Sequence, residues 1–204
     1  MFPRLYHGVA IIGMLIAIPA PVTAQQEAWS LSAEAGRATM SGASRDPTTG
    51  AAFRPANALM LGLAAHRRTG PFELGLVLRT AHSDLTIADG EVSLTTNDLR
   101  FTLYELAPEL GTRLLRVSRY ANIRFAAGPV IDLWRVTGSD GRIRVGGRAA
   151  LTLESLVARG VSGVVRAEGA VTGSMFDEGE LPPEFEERRA HRILIALGLR
   201  YRWR

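Results

Sequence analysis

The chain has 204 residues, 24 basic and 20 acidic side chains, and no cysteine. This length fits one domain, and the absence of cysteine excludes a disulfide-stapled scaffold, thiol catalysis and a cysteine-ligated metal site. The small basic excess is spread along the chain, which argues against a nucleic-acid-binding footprint.

The first 24 residues have the features of a secretory signal peptide. Arg4 and His7 precede the apolar run VAIIGMLIAI (residues 9–18), and Val22, Thr23 and Ala24 form a small-residue cleavage site. The run is shorter than the roughly 20 residues of a transmembrane helix. We predict a signal peptide over residues 1–24, cleavage before Gln25 and a single mature domain over residues 25–204. An uncleaved N-terminal anchor is the alternative.

Eight stretches of the mature chain alternate between apolar and polar or small residues, with the period of two that is typical of β-strands. They are WSLSAEAG (29–36), NALMLGLAAH (57–66), FELGLVLRTAH (72–82), LRFTLYELAPELGTRLL (99–115), NIRFAAGPVIDLW (122–134), RIRVGGRAALTLE (142–154), SGVVRAEGAVTG (162–173) and RILIALGLRYRWR (192–204). The fourth stretch changes phase, which predicts a bulge near Tyr104. Segments 109–118 and 151–160 also carry some helical spacing, so short helices there are an alternative.

The joins between these stretches alternate in length. Long joins follow the first, third and seventh stretches, and short joins follow the second, fourth and sixth; only the short TGSDG (137–141) after the fifth departs from the pattern. Long joins therefore gather at one end, and both termini lie at the other. Outer-membrane barrels show this asymmetry.

The polar face carries charges of both signs at mid-strand positions. Unpaired charges are costly in a small barrel interior that holds little water, so we expect these groups to pair. Arg144, Arg148 and Arg166 are expected to pair with glutamates of the set. The predicted interior network comprises Glu73, Arg79, Arg100, Glu105, Arg144, Arg148, Glu154, Arg166 and Glu168.

Aromatic residues fall where the strands would cross a membrane interface. Five lie at the short-join end and two, Phe101 and Trp134, toward the long-join end, which is the girdle pattern of membrane barrels. A soluble lipocalin-like barrel also alternates, but with its apolar face inward. The five aromatics at the short-join end are Trp29, Phe72, Tyr120, Tyr201 and Trp203.

The last stretch carries a recognisable motif. Gly198, Tyr201 and Trp203 in GLRYRW resemble the C-terminal assembly signal of bacterial outer-membrane proteins, although Arg204 follows the final aromatic here. In architecture the mature chain resembles the small OmpA/OmpX-type barrels. The resemblance implies an all-β, eight-stranded, antiparallel up-and-down transmembrane barrel in the bacterial outer membrane, with the motif read by the barrel-assembly machinery and the last strand paired to the first.

Candidate catalytic groups are sparse. His82, Ser83 and Asp84 resemble the His and Ser of small lipid A-modifying barrels, but adjacent strand residues point to opposite faces. His66 and His191 have no partner at metal-ligand spacing and are expected at the membrane interfaces. We predict no catalytic, cofactor or metal site. An acidic cluster in the last join, Asp177, Glu178, Glu180, Glu184, Glu186 and Glu187, is expected to be a solvated loop.

These observations favour a structural or surface-interacting barrel. Its expected partners are outer-membrane lipid and lipopolysaccharide, with the assembly machinery during biogenesis, and the expected state is a monomer. Two other classes remain open: a lipid A-modifying outer-membrane enzyme and a soluble periplasmic lipocalin-like carrier.

Overall fold

The computed structural model of the chain describes residues 28–42, 44–89, 92–136, 141–176, 183 and 185–203. Within these ranges no helix is long and apolar enough to cross a membrane. The predicted signal peptide, Gln25 and four residues of the acidic cluster, Asp177, Glu178, Glu180 and Glu184, lie outside the described residues.

The described residues form eleven strands, and the eight long ones form a barrel. Within the described residues, each of the eight alternating stretches lies in one long strand, apart from the end residues Asn57 and Gly173, which confirms the predicted all-β architecture; the helical alternatives at 109–118 and 151–160 are wrong. The strands are β1 (Ala28–Ser41), β2 (Ser44–Arg45), β3 (Ala52–Pro55), β4 (Ala58–Thr69), β5 (Phe72–Asp89), β6 (Val92–Arg116), β7 (Ala121–Val136), β8 (Arg142–Ala158), β9 (Val161–Thr172), β10 (Glu186–Glu187) and β11 (Ala190–Trp203).

The barrel closes between its first and last strands. The long strands pair antiparallel with their neighbours in chain order, and β1 pairs with β11 from Trp29↔Trp203 to Ser41↔His191. Following paired residues once around the wall from Trp29 returns to Thr39 on the same strand, a stagger of ten residues. This stagger tilts the strands, and closure removes the unpaired edge that a membrane would not tolerate.

The two ends of the barrel differ as the joins predict. Gly70 and Pro71 connect β4 to β5, and Arg159 and Gly160 connect β8 to β9; Gly160 has a φ of +78°, which glycine adopts without strain. The pair Trp29↔Trp203 of the closing β1–β11 seam also lies at this turn end. The opposite, loop end holds β2, β3 and β10, with β2 paired to β10.

The join after the third stretch is not a loop. Most of it continues β5 and β6 beyond the barrel as a hairpin that closes at the pair Asp89↔Val92. Strand β3 flanks this hairpin through its pairing with β5. The expectation of a long loop here is wrong. The apolar–polar alternation of the sequence becomes weaker where the two strands extend beyond the barrel wall, although the strands themselves continue.

The predicted bulge near Tyr104 is also wrong. The β5–β6 register runs without interruption from Phe72↔Thr112 through Thr80↔Tyr104, and the shifts lie elsewhere, between Asp84 and Leu85 and between Arg113 and Leu115. The apparent phase change arises because the inward face of β6 becomes apolar toward the loop end. There Phe101 and Leu103 are buried inside the barrel.

The wall is apolar outside and charged inside. Outward residues include Leu63, Leu76, Leu151 and Leu197, each at least 45% exposed, whereas inward residues such as Arg166 are buried. The five turn-end aromatics are all exposed as expected. Phe101 and Trp134 are not girdle residues, since both are 2% exposed and pack inside.

Gly198 has a structural role at the closing seam. A Cβ atom there would lie 2.4 Å from the backbone oxygen of Ala33 on β1, whereas a Cβ on Gly169 would meet nothing within 4 Å. We expect Gly198→Ala to destabilise the folded barrel by about 1 to 3 kcal/mol, as overpacking does, and Gly169→Ala to change stability by less than about 0.5 kcal/mol. Urea unfolding in lipid vesicles measures both, and equal midpoints for the two variants would contradict the close seam.

Candidate functional site

The barrel interior contains a central cluster of charges at mid-height. Arg148 donates to Glu105 at 3.0 Å, to Glu168 at 3.2 Å and to Glu109 at 2.7 Å. Arg79 donates to Glu105 at 2.9 Å and to Glu168 at 2.6 Å. These side chains come from β5, β6, β8 and β9, so the cluster ties opposite parts of the wall together.

Arg166 completes the central cluster. Its guanidinium bonds Glu109 at 2.7 Å and Glu168 at 2.9 Å. Glu109 also contacts His66 Nε2 at 2.8 Å, and His66 is 2% exposed. The expectation that His66 is an interfacial residue is therefore wrong.

A second group lies toward the turn end. Arg200 donates to Glu73 at 3.1 Å and lies 3.5 Å from Glu154, and Arg202 bonds Glu154 at 2.7 Å. Arg124 contacts both glutamates. The arginines of the closing strand thus face the interior and its rim, while Leu197 and Leu199 face outward.

The interior becomes apolar toward the loop end. Arg192 bonds Asp132 at 3.0 Å and also contacts Glu105, which connects this level to the central cluster. Beyond it a cap of apolar side chains includes Met40, Met60 and Met175, each at most 3% exposed. The remaining large members are Leu85, Phe101, Leu103, Trp134 and Leu194, with Phe53 and Phe176 packed against them.

Opposite charges balance inside the barrel. The ion-paired carboxylates are Glu34, Glu73, Glu105, Glu109, Asp132, Glu154 and Glu168, and the ion-paired guanidiniums are Arg79, Arg124, Arg148, Arg166, Arg192, Arg200 and Arg202. These equal numbers among the described residues allow each of these charges a counter-charge in a medium that solvates ions poorly. Paired side chains and the apolar cap occupy the interior, which in eight-stranded barrels is only wide enough for side chains.

Seven of the nine residues predicted for the interior network lie together in these clusters. Arg100 does not, because Phe101 points inward and its neighbour therefore points outward, where Arg100 is exposed. Arg144 follows the inward phase of β8 but lies above the clusters, where its guanidinium contacts the backbone oxygens of Ser174 and Phe176. Arg144 therefore lies apart from the central cluster and the turn-end group.

Sequence reasoning missed Glu109, Arg124, Asp132 and Arg192. Glu109 was obscured by the false bulge, because an uninterrupted β6 places it on the same face as Glu105. Arg124 and Asp132 lie an even number of residues apart on β7 and share the inward face, a signal that the alternation carries.

The candidate catalytic group does not assemble. His82 is exposed and contacts the Thr102 hydroxyl at 3.1 Å, whereas Ser83 is buried and donates to the carbonyl of Ala56 at 2.7 Å. The two residues face opposite sides of the wall, so they cannot act as base and nucleophile on one substrate.

Comparison of the coordinates with solved structures identifies barrels of the same architecture. Neisserial surface protein A aligns with a TM-score of 0.55 at 12% identity, over 85% of this chain and 96% of that protein. The outer membrane protein OprG from Pseudomonas aeruginosa aligns with a TM-score of 0.56 at 9% identity, over 87% of this chain and 95% of OprG. The chain has the fold of the small eight-stranded outer-membrane β-barrels.

Sequence comparisons add nothing to this structural likeness. No protein-family model matches the chain, and no curated protein matches it. Identities of 9% and 12% establish the shared fold and do not transfer a ligand or a partner.

Proposed function

We propose that the chain is a monomeric barrel of the bacterial outer membrane, exported by its signal peptide, with a structural or surface-interacting role. The polarity of the wall carries the proposal: Leu197 is 64% exposed outside, while Arg200 is 2% exposed inside. Soluble monomers rarely expose contiguous apolar patches beyond a few hundred Å². Because leucines cover the outer surface of this barrel, its outer face fits a lipid environment. A water-soluble carrier would need the opposite arrangement, with its apolar face inside.

The interior supports a non-conducting role. Paired arginines and glutamates form the central cluster across the interior, and the apolar cap lies on its loop-end side. Eight-stranded barrels have interiors only wide enough for side chains to fill. We therefore expect no open-channel conductance when the protein is reconstituted in planar bilayers.

Cell fractionation tests the proposed location. Expressed in a Gram-negative host, the chain is expected in the outer-membrane fraction, beginning at Gln25, and its gel mobility is expected to shift on boiling as folded barrels do. Lipid A mass spectra are expected to be identical with and without expression. Recovery in the soluble periplasm would sink the proposal, and a change in lipid A acylation would replace the structural role by an enzymatic one.

Trp203 provides a test of the assembly signal. It stacks on Tyr201 with ring centroids 5.9 Å apart and lies opposite Trp29 at the closing seam. We expect Trp203→Ala to slow the appearance of folded, heat-modifiable protein in cells several-fold. Phe72→Ala is the matched control, since Phe72 is an exposed turn-end aromatic outside the final strand. If both variants assemble at the same rate, the C-terminal motif is not read as a signal.

A further inference from the structure

The outward face of β1 carries an arginine within the apolar wall. Arg37 is exposed, and its paired neighbours are Ile195 on β11 and Leu59 on β4, which are 54% and 64% exposed. Among the described residues no carboxylate lies within ion-pair distance of Arg37. A lipid-facing arginine is costly in the hydrocarbon, and an anion from outside the protein would offset that cost.

Arg37 lies at the height of lipid headgroups. It is eight residues above the girdle residue Trp29 on the same face of β1, about 26 Å along a strand and about 20 Å along the axis at a tilt of roughly 40°. The apolar band of such barrels is about 25 Å tall. The long side chain therefore reaches the loop-end boundary, where phosphate groups of that leaflet reside.

Polar residues continue upward from Arg37 along the β1–β11 seam. Thr39 is the next outward residue of β1, and Ser41 pairs with His191 of β11. Thr39 and His191 are both exposed and diagonal to each other across the seam. Arg37 and His191 lie roughly 13 Å apart along the strand direction, a gap that their side chains and one phosphate group can span.

An apolar groove lies directly below Arg37. Ala33 and Ala35, the two outward residues before it, form the floor, because their short side chains stand between longer leucines. The groove is open to the outside of the wall, has a volume of about 830 Å³ and is lined predominantly by apolar surface. Its walls are formed by Leu61, Leu63 and Leu78 on one side and Leu197 and Leu199 on the other.

We propose that this seam binds one phosphate-bearing membrane lipid. Its phosphate contacts Arg37, Thr39 and His191, and an acyl chain lies in the groove over Ala33 and Ala35. Charge complementarity selects the headgroup, since a phosphate bonds a guanidinium strongly, and the groove selects a lipid over a free anion. The inference rests on the proposed membrane location.

Native mass spectrometry of the folded protein in detergent tests the site. The protein is titrated with lipid A, phosphatidylglycerol or phosphatidylcholine, with inorganic phosphate as competitor. We expect Arg37→Gln to weaken lipid A or phosphatidylglycerol binding about tenfold. Ala35→Leu is expected to weaken it about fourfold by filling the groove. Matched controls are Arg135→Gln on β7 and Ala149→Leu on β8, both exposed outward residues, for which we expect affinities within about twofold of the parent.

The outcomes separate the possible ligands. Tighter binding of lipid A or of phosphatidylglycerol identifies the lipid, and either supports the proposal. If phosphatidylcholine binds as tightly as the anionic lipids and Arg37→Gln does not weaken its binding, the groove binds acyl chains without selecting the headgroup. That result would overturn the proposal. Displacement of lipid by millimolar inorganic phosphate would make the free anion the ligand and overturn it too. A heat-modifiable barrel whose variants all bind alike would refute this site alone, whereas a chain recovered without detergent would refute the membrane location.

Discussion

Replacing Glu105 by glutamine is expected to lower the free energy of unfolding of the barrel by about 3 to 5 kcal/mol. The Glu105 side chain is fully buried and accepts hydrogen bonds from Arg79 at 2.9 Å and Arg148 at 3.0 Å, and it also contacts Arg192. Glutamine keeps the volume of the side chain but removes its charge. Three guanidiniums then lose a shared counter-charge in an interior that water cannot solvate.

Urea unfolding of the protein in phospholipid vesicles, followed by tryptophan fluorescence, measures this loss. Glu186→Gln is the matched control, because the Glu186 side chain is 60% exposed and its bond to Arg188, at 3.3 Å, lies in solvent. We expect the control to change stability by less than about 0.5 kcal/mol, as for other surface pairs. Equal unfolding midpoints for the two variants would mean that the interior charges are solvated, contrary to the structure.

Leu197→Arg is expected to cost about 2 to 4 kcal/mol of folding free energy in lipid, the penalty for arginine on a barrel's outer face near the bilayer midplane. Leu197 is 64% exposed, six residues from the girdle residue Trp203 on β11. The guanidinium would lie among the lipid-facing leucines of the groove. Folded yield in vesicles, scored by the mobility shift on boiling, and vesicle urea titrations both measure the effect.

The control for Leu197→Arg places an arginine on the same outer face of the barrel at a shallower depth. Val157→Arg serves, because Val157 is 69% exposed on β8 one residue from the turn-end limit of that strand. Near the interface the penalty falls to about 0 to 1 kcal/mol. Alternation alone suggests Ala196→Arg as the tolerated change, but Ala196 is 2% exposed and packs in the apolar cap, so arginine there is expected to be costly too. Equal losses at Leu197 and Val157 would argue against a lipid-facing wall.

The strands and the polarity of the closing strand could be predicted from sequence. Alternation with a period of two places Leu197 and Arg200 on opposite faces of one strand, and this needs no knowledge of the neighbouring strands. Turn residues such as Gly160 mark where strands end. Alternation reports only that two faces differ. It cannot show that the inner face turns apolar near the loop end, which is why sequence alone predicts girdle positions for Phe101 and Trp134.

The sequence predicts which charged residues face the interior more reliably than it predicts which of them form ion pairs. Charges at mid-strand on the minority face are expected to face inward, and Arg79 and Arg148 do so, each in contact with Glu168. Partners depend on the stagger of the sheet, which brings residues from distant strands to one height. Arg192 and Asp132 meet across 60 residues of sequence in this way, and no local pattern contains that information.

Lipid accessibility along β11 tests the polarity of the barrel most directly. The chain has no cysteine, so single cysteines introduced from Ile193 to Trp203 can carry a nitroxide label without background. In lipid vesicles we expect labels at odd-numbered positions such as 195, 197 and 199 to be accessible to dissolved oxygen, and labels at even-numbered positions such as 194 and 196 to be shielded from it. The account would be contradicted if a water-soluble nickel reagent reached the label at position 197 as readily as it reaches a label on an exposed turn, while the label at position 196 lay in an apolar interior.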